Sequence, residues 1–215
     1  MEVKDVSYYS NTRQEMLPFI PSSAKKILEI GCGEGHFCEQ LIGKDTEIWG
    51  VEPDSDSAEI AAKKLYKVLN KKINEAISQL PENYFDAIIL NDVLEHLLFP
   101  WDDLKQLKSK LSDNGVIVSS IPNVRYIKNL YHVLINKNWE YTESGILDST
   151  HFRFFTKKSM VNLFSMSGYT IEKIKGINKT KSTKYLLFAL LINVLFFFNH
   201  ADTLYVQYAV RAKKS

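Results

Sequence analysis

Between Lys26 and Ile121 the chain alternates short apolar runs with segments in which apolar residues recur every three or four positions. KILEI (Lys26–Ile30), TEIWGV (Thr46–Val51), FDAIIL (Phe85–Leu90) and VIVSSI (Val116–Ile121) read as strands. The run FDAIIL, bounded by Pro81-Glu82-Asn83 and Asn91-Asp92, suits a strand buried on both faces. Helices are predicted over Glu34–Ile42 and from Asp54 to about Leu69, with Asp54, Ser55 and Asp56 as start signals. A third follows Pro100, where Leu104, Leu107 and Leu111 share a face, acidic residues come early and lysines late, as the helix dipole prefers. Asp113-Asn114-Gly115 then turns the chain into Val116–Ile121.

This rhythm predicts a doubly wound α/β fold: a mostly parallel sheet, helices on both faces, and ligands at the carboxyl ends of the strands. The C-terminal third has a different pattern. Thr156–Ser167 reads as a helix capped by Thr156 and ended by Gly168, and Tyr169–Ile174 and Thr203–Val210 alternate as a final antiparallel strand pair. Residues 185–198 (YLLFALLINVLFFF) are apolar on every side except at Asn193, forming a helical insertion at about 182–200. As a helix that run spans about 21 Å, short of the roughly 30 Å hydrocarbon core of a bilayer. It is expected to pack on the domain or across a homodimer. A peripheral membrane contact beside Lys173, Lys175, Lys179, Lys181 and Lys184 is the other reading.

Composition narrows the class without naming it. At 215 residues, 45% hydrophobic and 24% charged, the whole of 1–215 is expected to form a single domain with a real core. A net charge of +2, with lysines scattered among acidic residues, argues against a nucleic-acid partner, and Lys63, Lys64, Lys67, Lys71 and Lys72 read as a solvated helix face. Two cysteines, and no apolar core to a signal peptide in Met1–Asp5, suggest a cytoplasmic protein without disulfides. Cys32, His36 and Cys38 match no common zinc spacing and lack a fourth ligand, so no metal is expected.

The glycine turn carries the first chemistry. Gly31, Gly33 and Gly35 leave a strand and open a helix, so a ligand can approach the backbone without meeting a Cβ, and the N–H groups at the helix start attract an anion. At the end of the second strand, Glu52 can accept both hydroxyls of an adenosine ribose. Nicotinamide dinucleotides and S-adenosylmethionine both use that geometry. Dinucleotide folds prefer G-x-G-x-x-G, whereas EIGCGEG (Glu29–Gly35) places an acidic residue before G-x-G-x-G. Glu29 would repel a pyrophosphate and suits the ammonium of a methionine moiety. A Y-x-x-x-K pair, Tyr169 and Lys173, falls inside a predicted strand, where its members stand about 13 Å apart.

Four blocks together resemble the class I S-adenosylmethionine-dependent methyltransferases: Glu29–Gly35, Val51–Asp54 (VEPD), Tyr84–His96 (YFDAIILNDVLEH) and Asn114–Asn123 (NGVIVSSIPN), in the family's order from about Tyr8 to Gly176. PNVR (Pro122–Arg125) and GILDSTHFRFFT (Gly145–Thr156) are similar to a bacterial branch associated with surface-polysaccharide biosynthesis. The resemblance implies a Rossmann-like, seven-stranded sheet and S-adenosylmethionine as cofactor. It implies that Gly31, Cys32, Gly33 and Gly35 line the methionine part, that Glu52 with Pro53 holds the ribose, and that Asn91, Asp92 and Leu94 lie along the sulfonium. Where the family usually carries an adenine-binding aspartate, Lys72–Ala76 offers Asn74.

The expected reaction is methylation of a sugar hydroxyl in a nucleotide-linked or lipid-linked glycan precursor. A nicotinamide-dependent sugar oxidoreductase and a non-catalytic membrane-associated scaffold are the rival readings. A hydroxyl acceptor must lose its proton, and histidine is the natural base. His96 follows the fourth strand; His151 sits with Asp148 and Arg153 on a crossover expected to act as a lid. A turn-capping role for His96 and a loop-fixing role for the other three are the structural alternatives. His132 and His200 lack such context.

Overall fold

The computed structural model describes residues 12–43 and 45–215. The expectations placed on Met1–Asp5 and on Tyr8 lie outside the described residues. One seven-stranded sheet organises the chain, in the order β3-β2-β1-β4-β5-β7-β6. Its strands are β1 (Lys26–Ile30), β2 (Glu47–Val51), β3 (Lys67–Leu69), β4 (Phe85–Asn91), β5 (Leu111–Pro122), β6 (Tyr169–Lys179) and β7 (Tyr205–Lys214). The first five run parallel; β7 pairs antiparallel with both β5 and β6.

The helices are α1 (His36–Glu39), α2 (Ser55–Ala62), α3 (Ile73–Ala76), α4 (Pro100–Leu107), α5 (Ile127–Leu134), α6 (Lys157–Met166) and α7 (Thr183–Leu195). Alternation along the strands creates two cores. Leu28, Ile30, Ile88, Leu90 and Ile117 face Leu104 and Leu107 of α4 and Met160, Leu163 and Phe164 of α6. Ile27, Ile48, Ala87, Ile89 and Val118 face Phe37 and Cys38 of α1, Ala61 of α2, and Met16 and Phe19 from a 3-10 turn over Gln14–Phe19. The chain leaves β1 toward β2 on one side, while β4 lies on the other. Their carboxyl ends therefore flank a crevice, the usual ligand site of this topology.

Several boundaries differ from the sequence reading. The helix expected to about Leu69 ends at Ala62, because Tyr66 donates its N–H to Ile48 O and Lys67–Leu69 joins the sheet edge as β3. Tyr66 stacks on Trp49, and the Lys67 Nζ lies 4.3 Å from the Trp49 ring, which holds this short strand in place. The turn expected at Asp113–Gly115 belongs to a distorted start of β5, where the β4 pairing shifts register between Phe85 and Ala87. A Cβ on Gly115 would stand 2.5 Å from Phe85 O, so only glycine fits that irregularity. Beyond the expected Ile174, β6 continues to Lys179, while β7 begins at Tyr205 after a 3-10 turn over Ala201–Leu204.

The apolar segment forms α7 in the connection from β6 to β7. Ala189, Ile192 and Asn193 are buried, and Ala189 and Ile192 cluster with Ile127 of α5. Leu187, Leu190, Leu191, Leu195 and Phe197 are exposed. No helix among the described residues is long and apolar enough to cross a membrane.

Candidate active site

At the crevice the glycine turn is held by the second strand. Gly31 and Cys32 donate their N–H groups to Val51 O at 2.8 and 3.3 Å. Gly31 adopts φ 69°, and a Cβ there would meet Val93 Cγ2 at 2.9 Å, so this position excludes side chains twice over. Gly35, at φ 80°, starts α1. Cys32 is a buried packing residue whose sulfur fills the space beside Gly50, and burial raises its thiol well above the ordinary range.

Glu52 is buried at the end of β2 and spans the turn: Oε2 accepts from Gly33 N–H at 2.8 Å and Oε1 from Asp54 N–H at 3.0 Å. Each carboxylate oxygen keeps a second lone pair for a ligand hydroxyl. Burial, more than any other cause, raises its carboxyl. Pro53 is exposed beside it, and its carbonyl, with that of Glu52, accepts from the Asn70 side chain. Asn74, expected as the adenine contact, lies exposed within α3. Asn70, directly after β3, is the amide that meets the Glu52 strand end.

Glu29 is only 2% exposed, between β2 and β4, where its carboxylate accepts from Cys38 Sγ at 2.8 Å and from Asn91 Nδ2 at 3.3 Å. Burial pushes its carboxyl up to about 7. The Asn91 Oδ1 is buried and has no hydrogen-bond partner among the described residues. A carboxylate held short of full ionisation beside an orphaned acceptor suits a cationic group. This is the fit required by the ammonium of a methionine moiety. Leu94 is fully buried in the core and fixes the following turn from below.

Asp92 takes the left-handed conformation (φ 53°), an uncommon backbone for a non-glycine residue, at the end of β4. Its carboxylate accepts from Arg13, from Ser120 Oγ at 2.9 Å and from Gln207 Nε2 at 2.7 Å. Arg13 and Gln207 escaped the sequence reading because neither lies in a motif; they reach the site from the 3-10 turn ahead of β1 and from β7. Beside Asp92 opens a small cleft of about 100 Å³ lined by Glu95, His96, Asp148, His151 and Gln207.

The loop expected to act as a lid is hydrogen-bonded to the turn that follows β4. The backbone N–H groups of Phe152 and Arg153 both donate to Glu95 O, at 2.9 and 3.0 Å, which ties the loop to the turn Leu94–His96. Asp148 Oδ1 accepts from Thr150 N–H and Thr150 Oγ1, so this carboxylate shapes the loop. The rings of His96 and His151 meet edge to face, 4.5 Å apart. Arg153 departs from the expected acceptor contact. Its guanidinium donates to Leu98 O and lies 5.1 Å from the Trp101 ring, because the chain turns its side chain toward α4. In PNVR, Arg125 likewise pairs with Asp202 and Asn123 binds Asp202 O and Tyr205 O, latching β5 to the start of β7.

A profile of the methyltransferase-domain family matches residues 4–174. The chain belongs to that family. S-adenosylmethionine is the cofactor this membership implies, and the glycine turn, Glu52 and the Glu29–Asn91 pair fit it. Among curated proteins the chain is similar to a mitochondrial ubiquinone biosynthesis O-methyltransferase of Schizosaccharomyces pombe, 29% identical over 72% of this chain and 58% of that protein. It also resembles a tRNA U34 carboxymethyltransferase of Aliivibrio fischeri, 32% identical over 48% of this chain and 34% of that protein. The chain thus spans between a third and three fifths of these relatives. A solved S-adenosylmethionine-dependent methyltransferase from Archaeoglobus fulgidus shares the fold: TM-score 0.67, 21% identity, 93% of this chain and 90% of that one. The methyltransferase family thus extends the sequence resemblance. The polysaccharide branch gains nothing from these relatives, which are named for ubiquinone biosynthesis and for tRNA.

Proposed function

We propose that the chain transfers a methyl group from S-adenosylmethionine to a hydroxyl oxygen of an acceptor seated in the cleft beside Asp92. The observation that carries this reading is the adjacency of two half-sites at one sheet end: acceptors for a cation at Glu29 and Asn91, and a polar cleft with two imidazoles next to them. S-adenosylmethionine supplies a methyl carbon on a sulfonium, open to attack by an oxygen lone pair. The protein's task is chiefly to align and to dry the site. Glu52 positions the ribose end and Glu29 with Asn91 the ammonium end, while Arg13, Ser120 and Gln207 hold Asp92 rigid at the mouth. His96 and His151 are the groups beside the acceptor hydroxyl whose proton must leave.

The first acceptor class is a sugar in a nucleotide-linked or lipid-linked glycan precursor, supported by the carboxylates and imidazoles of Asp92, Glu95, His96, Asp148 and His151, which line the cleft beside Pro122, Ile146 and Val206. A second reading, a hydroxyl on an acceptor held in a lipid surface, draws support from the O-methyltransferase relatives named for ubiquinone biosynthesis and from the exposed apolar side of α7. Mass spectrometry of both acceptor classes after incubation with protein and donor tests the proposal. A gain of one methylene mass on a hydroxyl compound supports it, and no transfer to either class, with the donor bound, contradicts it.

A further inference from the structure

The loop that carries His151 brings it against two donors that are neighbours in the sequence and lie far back along the chain, Glu95 and His96. One ligand atom each from Glu95, His96 and His151 lies within 4.8 Å of the other two. Glu95 and His151 are buried, at 1% and 9% exposure, and His96 is half-buried, so this is not a solvated acidic surface.

Hydrogen bonds among the described residues orient both rings. His151 Nδ1 lies 3.0 Å from Ile146 O; a carbonyl only accepts, so Nδ1 carries the proton and Nε2 the lone pair. His96 Nδ1 lies 3.3 Å from Thr150 O and 3.2 Å from Thr150 Oγ1. The Thr150 hydroxyl gives its own proton to Asp148 Oδ1 at 2.6 Å, so toward His96 it too accepts. His96 is thereby set in the same tautomer, with its lone pair on Nε2. Imidazoles that bind metals are usually oriented in this way, with the second ring nitrogen donating to a carbonyl or to a chain ending in a carboxylate. The two bonds from Phe152 and Arg153 to Glu95 O lock the loop to the turn, so the donors are in place before any ion arrives.

We propose that Glu95, His96 and His151 form a binding site for a divalent transition-metal ion, with open coordination positions toward the acceptor cleft. Two imidazoles and one carboxylate suit zinc, manganese, iron or cobalt rather than calcium or magnesium, which prefer oxygen ligands. Three protein ligands leave room for an acceptor oxygen in the roughly 100 Å³ cleft. A hydroxyl bound there loses its proton to solvent water more readily, the cation stabilising the oxygen anion that forms. In its use, though not in its existence, the site rests on the methyl-transfer reading above.

The test is titration of chelator-treated, full-length protein with cobalt(II), followed by visible absorption, and with zinc(II), followed by calorimetry. The expected result is one equivalent bound, with affinity reduced at least about tenfold to a hundredfold in His151→Ala and Glu95→Gln. His96→Ala, at a half-exposed position, is a third variant should the buried ones fail to fold. His132→Ala, on α5, is expected to bind as the parent does. S-adenosylmethionine calorimetry on the metal-free protein runs in parallel: loss of donor binding with an intact cobalt spectrum would count against the methyl-transfer reading alone. Absence of a stoichiometric cobalt complex in the parent, or undiminished binding in the folded variants, would overturn the metal site.

Discussion

Glu29 sits where charge is costly, and its titration is the most direct consequence at the level of single residues. With a folded value of about 7 against an ordinary 4.5, the folded ligand-free protein holds a proton that the unfolded chain releases. Stability from this group is therefore fully present below pH about 4.5 and lost as pH rises to about 7, by up to about 3 kcal/mol. Glu29→Gln should flatten that slope, read as denaturant midpoints at pH 5 and pH 8. An unchanged slope would remove Glu29 as its cause. A bound cation should restore the carboxylate, so donor binding near pH 7 should release a proton, visible as a buffer-dependent enthalpy that fades well above pH 7. If His151 serves the acceptor side, His151→Ala should lower turnover by about 10²–10⁴ and leave donor affinity within a few-fold. Near-normal turnover in that variant would take His151 out of the reaction.

At the level of elements, the capping of α6 is a local test of how the loop is framed. Thr156 Oγ1 accepts from Ser159 N–H while Ser159 Oγ accepts from Thr156 N–H, a reciprocal capping box just past the loop that carries His151. Thr156→Ala should cost about 0.5–2 kcal/mol in thermal or denaturant unfolding; no loss would mean that α6 is held by Leu163 and Phe164 alone. Elements with strong local signals were legible from sequence. The strand Phe85–Leu90 is an apolar run interrupted only by Asp86, and the helix from Thr156 carries its cap and a terminal Gly168 at φ 81°. Where tertiary pairing decides, the sequence was silent. Lys67–Leu69 is a strand only because Trp49 and β2 accept it, and α5 forms against α7 across a long stretch of chain. The same limit governs the site. The glycine turn and Glu52 are contiguous with their strands and could be read. Glu95 carries no signal of its own in the sequence because only folding brings His151 to it, and Arg153, two residues beyond His151, turns away to Leu98 O.

For the whole molecule, α7 leaves an apolar surface that the rest of the described residues does not cover. Leu187, Leu190, Leu191, Leu195 and Phe197 are exposed on the element that joins β6 to β7, and Lys179, Lys181 and Lys184 approach it in exposed positions. Two outcomes are open to such a surface, packing across a homodimer or contact with an anionic lipid interface. If that surface meets lipid, replacing Phe196, Phe197 and Phe198 with serine should release the protein from anionic vesicles in a flotation assay while donor binding persists; a parent protein that never floats contradicts the lipid contact. Methyl-donor binding is assigned to the crevice between β1 and β4. Calorimetry of S-adenosylmethionine, S-adenosylhomocysteine and NAD with the parent and with Glu52→Ala tests it most directly. Both adenosyl ligands should bind and NAD should not, and loss of the ribose acceptor should weaken both by about 1.5–3 kcal/mol, tenfold or more. Tighter binding of NAD, or unchanged adenosyl affinity in Glu52→Ala, would contradict it.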